Sequence, residues 1–363
     1  MKLLILLNKN KPAVSETFIQ IQIQYFNATS QNIYKYTTPY SEAKISLFTR
    51  IFFLIKKTIG AIKFFHYVKK NKIDVVLAQY GMVGADAVFF CKLLKLPLIV
   101  HFHGHDAHRK NIIEKYQPVY EKMFKYVSSI IVVSTKMQQK LLEMGAPKDK
   151  IFLNVYGVDL DENQQPNNGK NCLAVGRFVD KKAPYLSILA FEKVLKVHPN
   201  ATLTFVGTGY LFETCKRIIV AKKLENSILL LGEQSNQQVK NLMKEHGIFI
   251  QHSVEAFDGD SEGTPVSLLE ACSFGMAVIV TRHAGMEDVI KNNVNGLLIE
   301  EGDLDSMAEN IIQLLEDPIR CNRLGYQAKE TIRNNYTTEK SLQTLQSVVE
   351  SIFKKDNQKK QHC

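Results

Sequence analysis

Residues Gln251–Gly285 read QHSVEAFDGDSEGTPVSLLEACSFGMAVIVTRHAG, and their pattern decides how the chain folds. An apolar run, Ile248–Gln251, enters a loop of Asp, Gly and Ser. A helical run over Pro265–Phe274 follows, then a second apolar run, Val278–Thr281. Strand, helix and strand at that spacing make one unit of a parallel sheet. Two carboxylates, Glu262 and Glu270, stand seven residues apart around Gly263-Thr264-Pro265. A first helical turn accepts proline, because no N–H is needed there. Glu262 is therefore expected in the loop and Glu270 inside the helix. The N–H groups of Gly263, Thr264 and Val266 are then expected to form an anion site. An anion site flanked by two carboxylates suits a ligand that is anionic in the middle and hydroxyl-rich at both ends, such as a nucleotide-diphosphate sugar.

Working outward, the same alternation runs through both halves. Before the quoted stretch come strands at Cys172–Val175, Leu203–Val206 and Ile228–Leu231, and after it Leu297–Ile299. Helices are expected at Tyr185–Val197, Leu211–Lys222, Gln237–Glu245 and Leu304–Leu315. The first half repeats the scheme, with strands at Leu3–Leu7, Asn32–Tyr36, Asp74–Gln79, Leu98–Phe102, Ile130–Val133 and Phe152–Val155. Its helices are expected from Ser15 toward Ala28 and at Val83–Leu94, Ile112–Tyr126 and Lys136–Met144. Such alternation means parallel sheets covered on both faces, with functional groups at the carboxyl ends of the strands. The polar stretch 161–169, DENQQPNNG, reads as a linker. The expected architecture is α/β, with two Rossmann-like domains whose parallel sheets face one another across a cleft. Residues 1–158 form the first domain, 159–169 the linker and 170–336 the second domain. Residues 337–363 form a terminal helix free to return toward the first domain.

At 363 residues the chain can bury two full cores. Its net charge of +10 is unevenly divided: residues 1–157 hold 23 Lys and Arg against 9 Asp and Glu, a balance of +14, and the rest carries −4. A basic first half suggests contact with something anionic. Six cysteines without a CxxC pair point to reduced thiols and a cytoplasmic location. The opening MKLLILLNKNKP has too short an apolar run for a signal segment and reads as a buried strand. No apolar stretch reaches bilayer-spanning length. Along Lys44–Lys72, Lys56, Lys63 and Lys70 share one helical face opposite Leu47, Ile51, Leu54, Phe65 and Val68. Such a helix either lies on an anionic membrane or covers the sheet with its lysines solvated.

Other features carry weaker chemistry. Gly176-Arg177…Lys182 follows the second half's first strand and would point two fixed cations toward a diphosphate. His101, His103, His105 and His108 with Asp106 invite a metal-hydrolase reading. Alternate strand residues face opposite ways, however, and no second cluster completes the ligand set. Asp258-Gly259-Asp260 reads as a turn rather than a metal motif. Gly207-Thr208-Gly209 reads as a tight turn, with a nicotinamide site as the minor alternative, because Phe212 stands where a third glycine would be. No P-loop pattern occurs.

Arg177, Lys182, Glu262 and Glu270 taken together resemble the retaining GT-B glycosyltransferases of family 4. The likeness includes the Glu262-x7-Glu270 motif, Gly275-Met-Ala-Val278, Asn295-Gly-Leu-Leu298, Tyr156-Gly-Val-Asp159 and Val206-Gly-Thr-Gly209. Ser15-Glu-Thr-Phe18, His103-Gly-His-Asp106, Asp180-Lys-Lys-Ala-Pro184 and Asp258-Gly-Asp-Ser-Glu-Gly263 are similar to the colanic-acid and amylovoran branch of exopolysaccharide transferases. Ala183 departs from the glycine of many relatives, and Lys9–Ser15 replaces their glycine-rich first loop.

The resemblance implies an acceptor-binding first domain and a donor-binding second one. It implies that Glu270 holds the ribose hydroxyls, and that Glu262 with the N–H groups of Gly263, Thr264 and Val266 holds sugar and phosphate. Arg177 and Lys182 would stabilise the departing diphosphate, His103 would position the sugar, and Gly207 and Gly209 would border the donor. Ser15, Glu16 and Asp106 are expected at the acceptor, and Lys56, Lys63 and Lys70 at the inner face of the plasma membrane. The expected reaction moves a sugar from a nucleotide-diphosphate sugar to a saccharide or polyprenyl-diphosphate-linked acceptor, retaining configuration. Neither a metal nor another cofactor is expected, and nucleic acid is not an expected partner. A non-catalytic sugar-nucleotide-binding subunit, a sugar-nucleotide epimerase and the metal hydrolase are the alternatives.

Overall fold

The computed structural model describes residues 1–7, 16–29, 33–37, 62–160 and 171–361. Two compact units emerge. One comprises Met1–Val133, Met137–Asn154 and Leu342–Cys363; the other comprises Ser134–Lys136 and Val155–Ser341.

The first unit is built on a six-stranded parallel sheet of order β2-β1-β3-β4-β5-β6. These strands are β1 Leu3–Leu7, β2 Ile33–Thr37, β3 Val75–Gln79, β4 Leu98–His101, β5 Ser129–Val132 and β6 Ile151–Leu153. Leu3 pairs with Ile33 on one side and Val75 on the other. β1 and β3 are buried along their whole length, as apolar strands covered on both faces must be. The order reverses between β1 and β3, so the loops leaving their carboxyl ends open a crevice.

The second unit repeats the plan in the order β12-β11-β10-β7-β8-β9. Its strands are β7 Cys172–Val175, β8 Leu203–Val206, β9 Ile228–Leu230, β10 Ile248–Gln251, β11 Ala277–Thr281 and β12 Leu297–Ile299. Here the reversal lies between β7 and β10, which pair directly through Cys172 and Ile248. The loop after β7 carries Arg177 and Lys182, and the loop after β10 carries Glu262. The switch point therefore gathers residues far apart in the chain.

Two expectations about helices need correction. The quoted helix runs from Val266 to Ser273, and Pro265 is its N-cap residue in an extended conformation rather than its first helical residue. A helix over Pro318–Asn335 has no counterpart in the sequence reading. It is long but largely polar, so its apolar stripe is thin. Its start is nonetheless written in the sequence: the Asp317 side chain accepts from the Arg320 N–H at 2.9 Å, and Pro318 follows the cap. It packs closely on the quoted stretch, since a Cβ at Gly325 would lie 2.0 Å from the Gly275 carbonyl oxygen.

The last helix spans Thr338–Gln361. From Leu342 onward it belongs to the first unit, where Tyr25 donates to Gln346 Oε1 at 2.5 Å. Ser15, Lys56 and residues 161–169 lie outside the described residues. Of the basic segment, residues 62–71 are helical with Lys63 and Lys70 exposed.

Candidate active site

Gly176, Arg177 and Phe178 leave β7 toward a short 3-10 turn, Asp180–Lys182, and a helix that begins at Pro184. Phe178 is buried, with its ring centroid 5.7 Å from that of Phe205 and 5.1 Å from that of Phe212, and this anchors the loop. Lys182 lies along Gly176, where a Cβ would stand 3.3 Å from its Cε. Gly207 supports the arrangement from behind. Its φ of 130° and the 2.0 Å from a built Cβ to the Gly176 carbonyl oxygen leave room for glycine alone. Gly207 and Gly209 thus shape the backbone under Arg177, rather than opening a dinucleotide loop.

On the neighbouring strand end, Glu262 is buried with Oε1 3.5 Å from Lys182 Nζ. No hydrogen bond reaches Oε1 from the described residues. Burial works to raise the Glu262 carboxyl, but the neighbouring cations, Lys182 first and then Lys181 and Arg177, bring it down to about 2. Lys182 is also held below its ordinary value, by burial first and by Lys181 and Arg177, against the pull of Glu262. The two shifts are compatible: burial lowers Lys182 most, and the cations that draw Glu262 down also repel Lys182. Lys181 is paired with Asp260 and Lys182 with Glu262, and Arg177 stands exposed beside them.

Asp258 and Asp260 now acquire a place. Lys181 Nζ lies 3.0 Å from Asp260 Oδ1 and donates to the Ser261 carbonyl at 3.1 Å. Asp258 Oδ1 accepts from the Asp260 N–H, closing the turn. Glu262 is thereby tied to the loop that carries Arg177. Phe257, at the tip of this turn, is fully exposed.

Gly263 and Thr264 precede the helix instead of starting it, and the Gly263 carbonyl accepts from the Gly285 N–H at 2.8 Å. Of the three N–H groups expected to bind an anion, only that of Val266 lies at the helix start, and those of Gly263 and Thr264 lie in the loop ahead of it. Glu270, half-buried inside that helix, has its carboxyl raised to about 7 by burial and by Asp159, against Lys240. Its carboxyl is poised between the neutral and charged forms near neutrality.

In the first unit, His103 Nε2 donates to Gln79 Oε1 at 2.7 Å, and Gln79 in turn donates to Gln22. Burial, with His101 and His105 nearby, holds the His103 imidazole well below its ordinary value, so the ring is neutral. Tyr80, at a strained φ of 79°, stacks edge-on to His103 and donates to Glu16 at 2.5 Å. Asp106 differs from expectation. It is fully buried and accepts from the N–H groups of Gly81, His103 and Gly104. Its carboxylate shapes the His103 turn, so any part in acceptor binding is indirect. The same bonds remove the carboxylate that a metal hydrolase would need here. Among the described residues no group of three or more His, Cys, Asp or Glu is placed to hold a metal ion.

Sequence reasoning missed Gln79, Tyr80, Lys181 and His283. Gln79 and Tyr80 close β3 at the switch point, a position that could have drawn attention. Nothing local marks Lys181 over its neighbour Lys182.

The model of the glycosyl transferases group 1 matches residues 158–331, and that of glycosyltransferase family 4 matches residues 41–162. The amylovoran biosynthesis glycosyltransferase AmsK of Erwinia amylovora is 28% identical over 289 residues, covering 77% of this chain and 70% of the relative. The UDP-Gal:alpha-D-GlcNAc-diphosphoundecaprenol alpha-1,3-galactosyltransferase of Escherichia coli is 24% identical over 318 residues, covering 81% of this chain and 80% of the relative. Among solved structures, Anabaena HepE in complex with UDP-glucose superposes with a TM-score of 0.78 at 17% identity, covering 97% of this chain and 100% of that one.

Proposed function

The chain belongs to the glycosyl transferases of group 1 and has the GT-B fold, and from that premise we infer that it moves a sugar from a nucleotide-diphosphate sugar to a saccharide acceptor with retention of configuration. One observation carries the reading: exposed Arg177 and half-buried Lys182 stand beside the buried Glu262 at the switch point, and with Lys181 they hold its carboxyl down to about 2. An arginine and a lysine placed together at a strand end suit a departing diphosphate, whose charge the two can neutralise. Arg177 and Lys182 then stabilise the leaving group, the role a divalent ion plays in other transferases, and the reaction needs no metal.

Glu270 accepts from the ribose hydroxyls, while Glu262 and the N–H groups at the helix start hold sugar and phosphate. His103, neutral and oriented by Gln79, positions the sugar, and Glu16 with Tyr80 belongs to acceptor binding. The bond from the anomeric carbon to the phosphate oxygen breaks as the acceptor oxygen bonds the same face. The acceptor proton passes to the leaving phosphate, which departs as nucleoside diphosphate.

The names of AmsK and of the diphosphoundecaprenol galactosyltransferase support exopolysaccharide-type synthesis on a lipid-linked acceptor. Among the described residues no helix is long and apolar enough to cross a membrane. Exposed Phe89 and Leu93, with exposed Lys63 and Lys70, suit peripheral attachment to an anionic leaflet from the cytoplasmic side.

A thermal-shift panel of UDP-, GDP- and ADP-sugars tests the donor, since a ligand at a hundred times its Kd stabilises by about 2.7 kcal/mol. Incubating the stabilising donor with polyprenyl-diphosphate-linked saccharides, with NMR assignment of the product anomer, tests the transfer. A product of inverted configuration would overturn the retaining reading.

A further inference from the structure

Behind Glu262 runs a chain of polar groups, buried at Ser261 and His283 and reaching the surface at Glu301, that is part of neither the nucleotide nor the leaving-group contacts. His283 has no exposed surface, and Ser261 is nearly as deep. Glu301 Oε1 lies 2.5 Å from His283 Nδ1, while its other oxygen accepts from the Glu255 N–H at 3.1 Å. A carboxylate can only accept, so Nδ1 carries the proton and Nε2 carries the lone pair. That nitrogen faces Ser261 Oγ at 2.9 Å and the Glu262 N–H at 3.4 Å. The ring therefore accepts from the residue before Glu262 and, over a longer contact, from the backbone of Glu262 itself. Two residues on, Gly285 completes the attachment. Its N–H donates to the Gly263 carbonyl, and a Cβ there would lie 2.1 Å from Thr264 Oγ1. The Ser261–Thr264 loop is thus lashed on one side to the His283–Gly285 loop and on the other to Lys181.

We propose that His283 is a positioning residue for the transfer reaction: Glu301 sets its tautomer, and its Nε2 lone pair holds the Ser261-Glu262 backbone so that the Glu262 carboxylate stays aimed at the donor sugar. The inference rests on the glycosyltransferase reading. A buried serine and histidine in hydrogen-bonded series with a partly exposed carboxylate resemble a nucleophile relay in geometry alone. Ser261 is almost without exposed surface, and its neighbour Glu262 already occupies the charged position, so the series orients rather than attacks. A loop displaced by about 1 Å can cost on the order of 100-fold in rate without contacting the reacting atoms.

The test compares wild type with His283→Leu, His283→Gln and Glu301→Ala. Glu301 is partly exposed, so its truncation spares the fold. Each variant is assayed for transfer and, by calorimetry, for binding of the nucleoside diphosphate that most raises the wild-type Tm. The turnover rate is expected to fall by about 10-fold or more in His283→Leu and by about 3-fold or more in Glu301→Ala, a share of the loss that a displaced loop produces. Nucleotide affinity should stay within about 2-fold of wild type in both. Glutamine offers an oxygen near the place of Nε2 and should recover part of the loss. Transfer within about 2-fold of wild type in Glu301→Ala would overturn the proposal. So would parallel loss of transfer and nucleotide binding, which marks a merely structural role. If the wild-type chain itself transfers no sugar, the glycosyltransferase reading fails instead.

Discussion

Buried Lys181 and half-buried Asp260 form an ion pair at 3.0 Å, and it joins the loop after β7 to the loop after β10. One loop carries the cations and the other carries Glu262, so their spacing depends on a contact that itself touches no donor. Removing one partner of such a pair leaves an uncompensated charge. Lys181→Met should cost about 3–5 kcal/mol, read as a lower denaturation midpoint. Replacing both, as Lys181→Met with Asp260→Leu, should recover most of the stability but not the transfer rate.

The leaving-group role of Lys182 predicts a kinetic loss. Lys182→Ala should slow turnover by roughly 10²–10³-fold, the range seen when one transition-state donor is removed. With its nearest cation gone, the Glu262 carboxyl should also rise from about 2. NMR titration of that carboxyl checks the second outcome.

The ribose-binding role proposed for Glu270 predicts that donor binding depends on pH. Its carboxyl sits near 7, and only the charged form accepts from two ribose hydroxyls. Nucleotide affinity should therefore weaken as pH falls through about 7, by at most tenfold per pH unit, and Glu270→Gln should bind weakly at every pH. Calorimetry from pH 5.5 to 8.5 reads both slopes.

Stability should respond to the same group with the opposite sense. The folded carboxyl is raised above its ordinary 4.5, so its contribution is full below about 4.5 and is lost as pH rises through about 7. Glu270 is half-buried, and solvent screening reduces the effect to about 1–2 kcal/mol. Glu270→Gln should thus melt a few degrees higher than wild type at pH 8 and at the same temperature near pH 4.5.

The proposed attachment to membranes rests on exposed groups and is testable without touching the core. Lys63→Glu with Lys70→Glu should reduce binding to anionic vesicles by on the order of 10-fold or more, at about 1 kcal/mol per lysine. Phe89→Ser should weaken it further. Sedimentation with phosphatidylglycerol liposomes reads the effect, and unchanged sedimentation would dispose of the membrane contact.

The amino-acid order alone determined the parallel sheets, because strands such as Leu3–Leu7 and Ala277–Thr281 are continuous apolar runs that need cover on both faces. It also marked Arg177, Lys182, Glu262 and Glu270, since strand ends and helix starts are local patterns. What it left open were relations between distant segments. The polar helix Pro318–Asn335 was hidden because its buried face, at helical spacing, includes Gly325 and Lys329 among only a few apolar residues, and Gly275 and β11 are what cover it. Pro265 could serve as a cap or as a first helical residue on local grounds, and only the packed loop chose the cap. Asp258 and Asp260 read as a turn, but the partner that makes Asp260 matter, Lys181, lies 79 residues away. The same holds for His283, which becomes significant only where β10 and β11 lie side by side. A side chain's electrostatic role depends on which charges share its low-dielectric surroundings, and that is a property of the folded chain, not of neighbours in sequence.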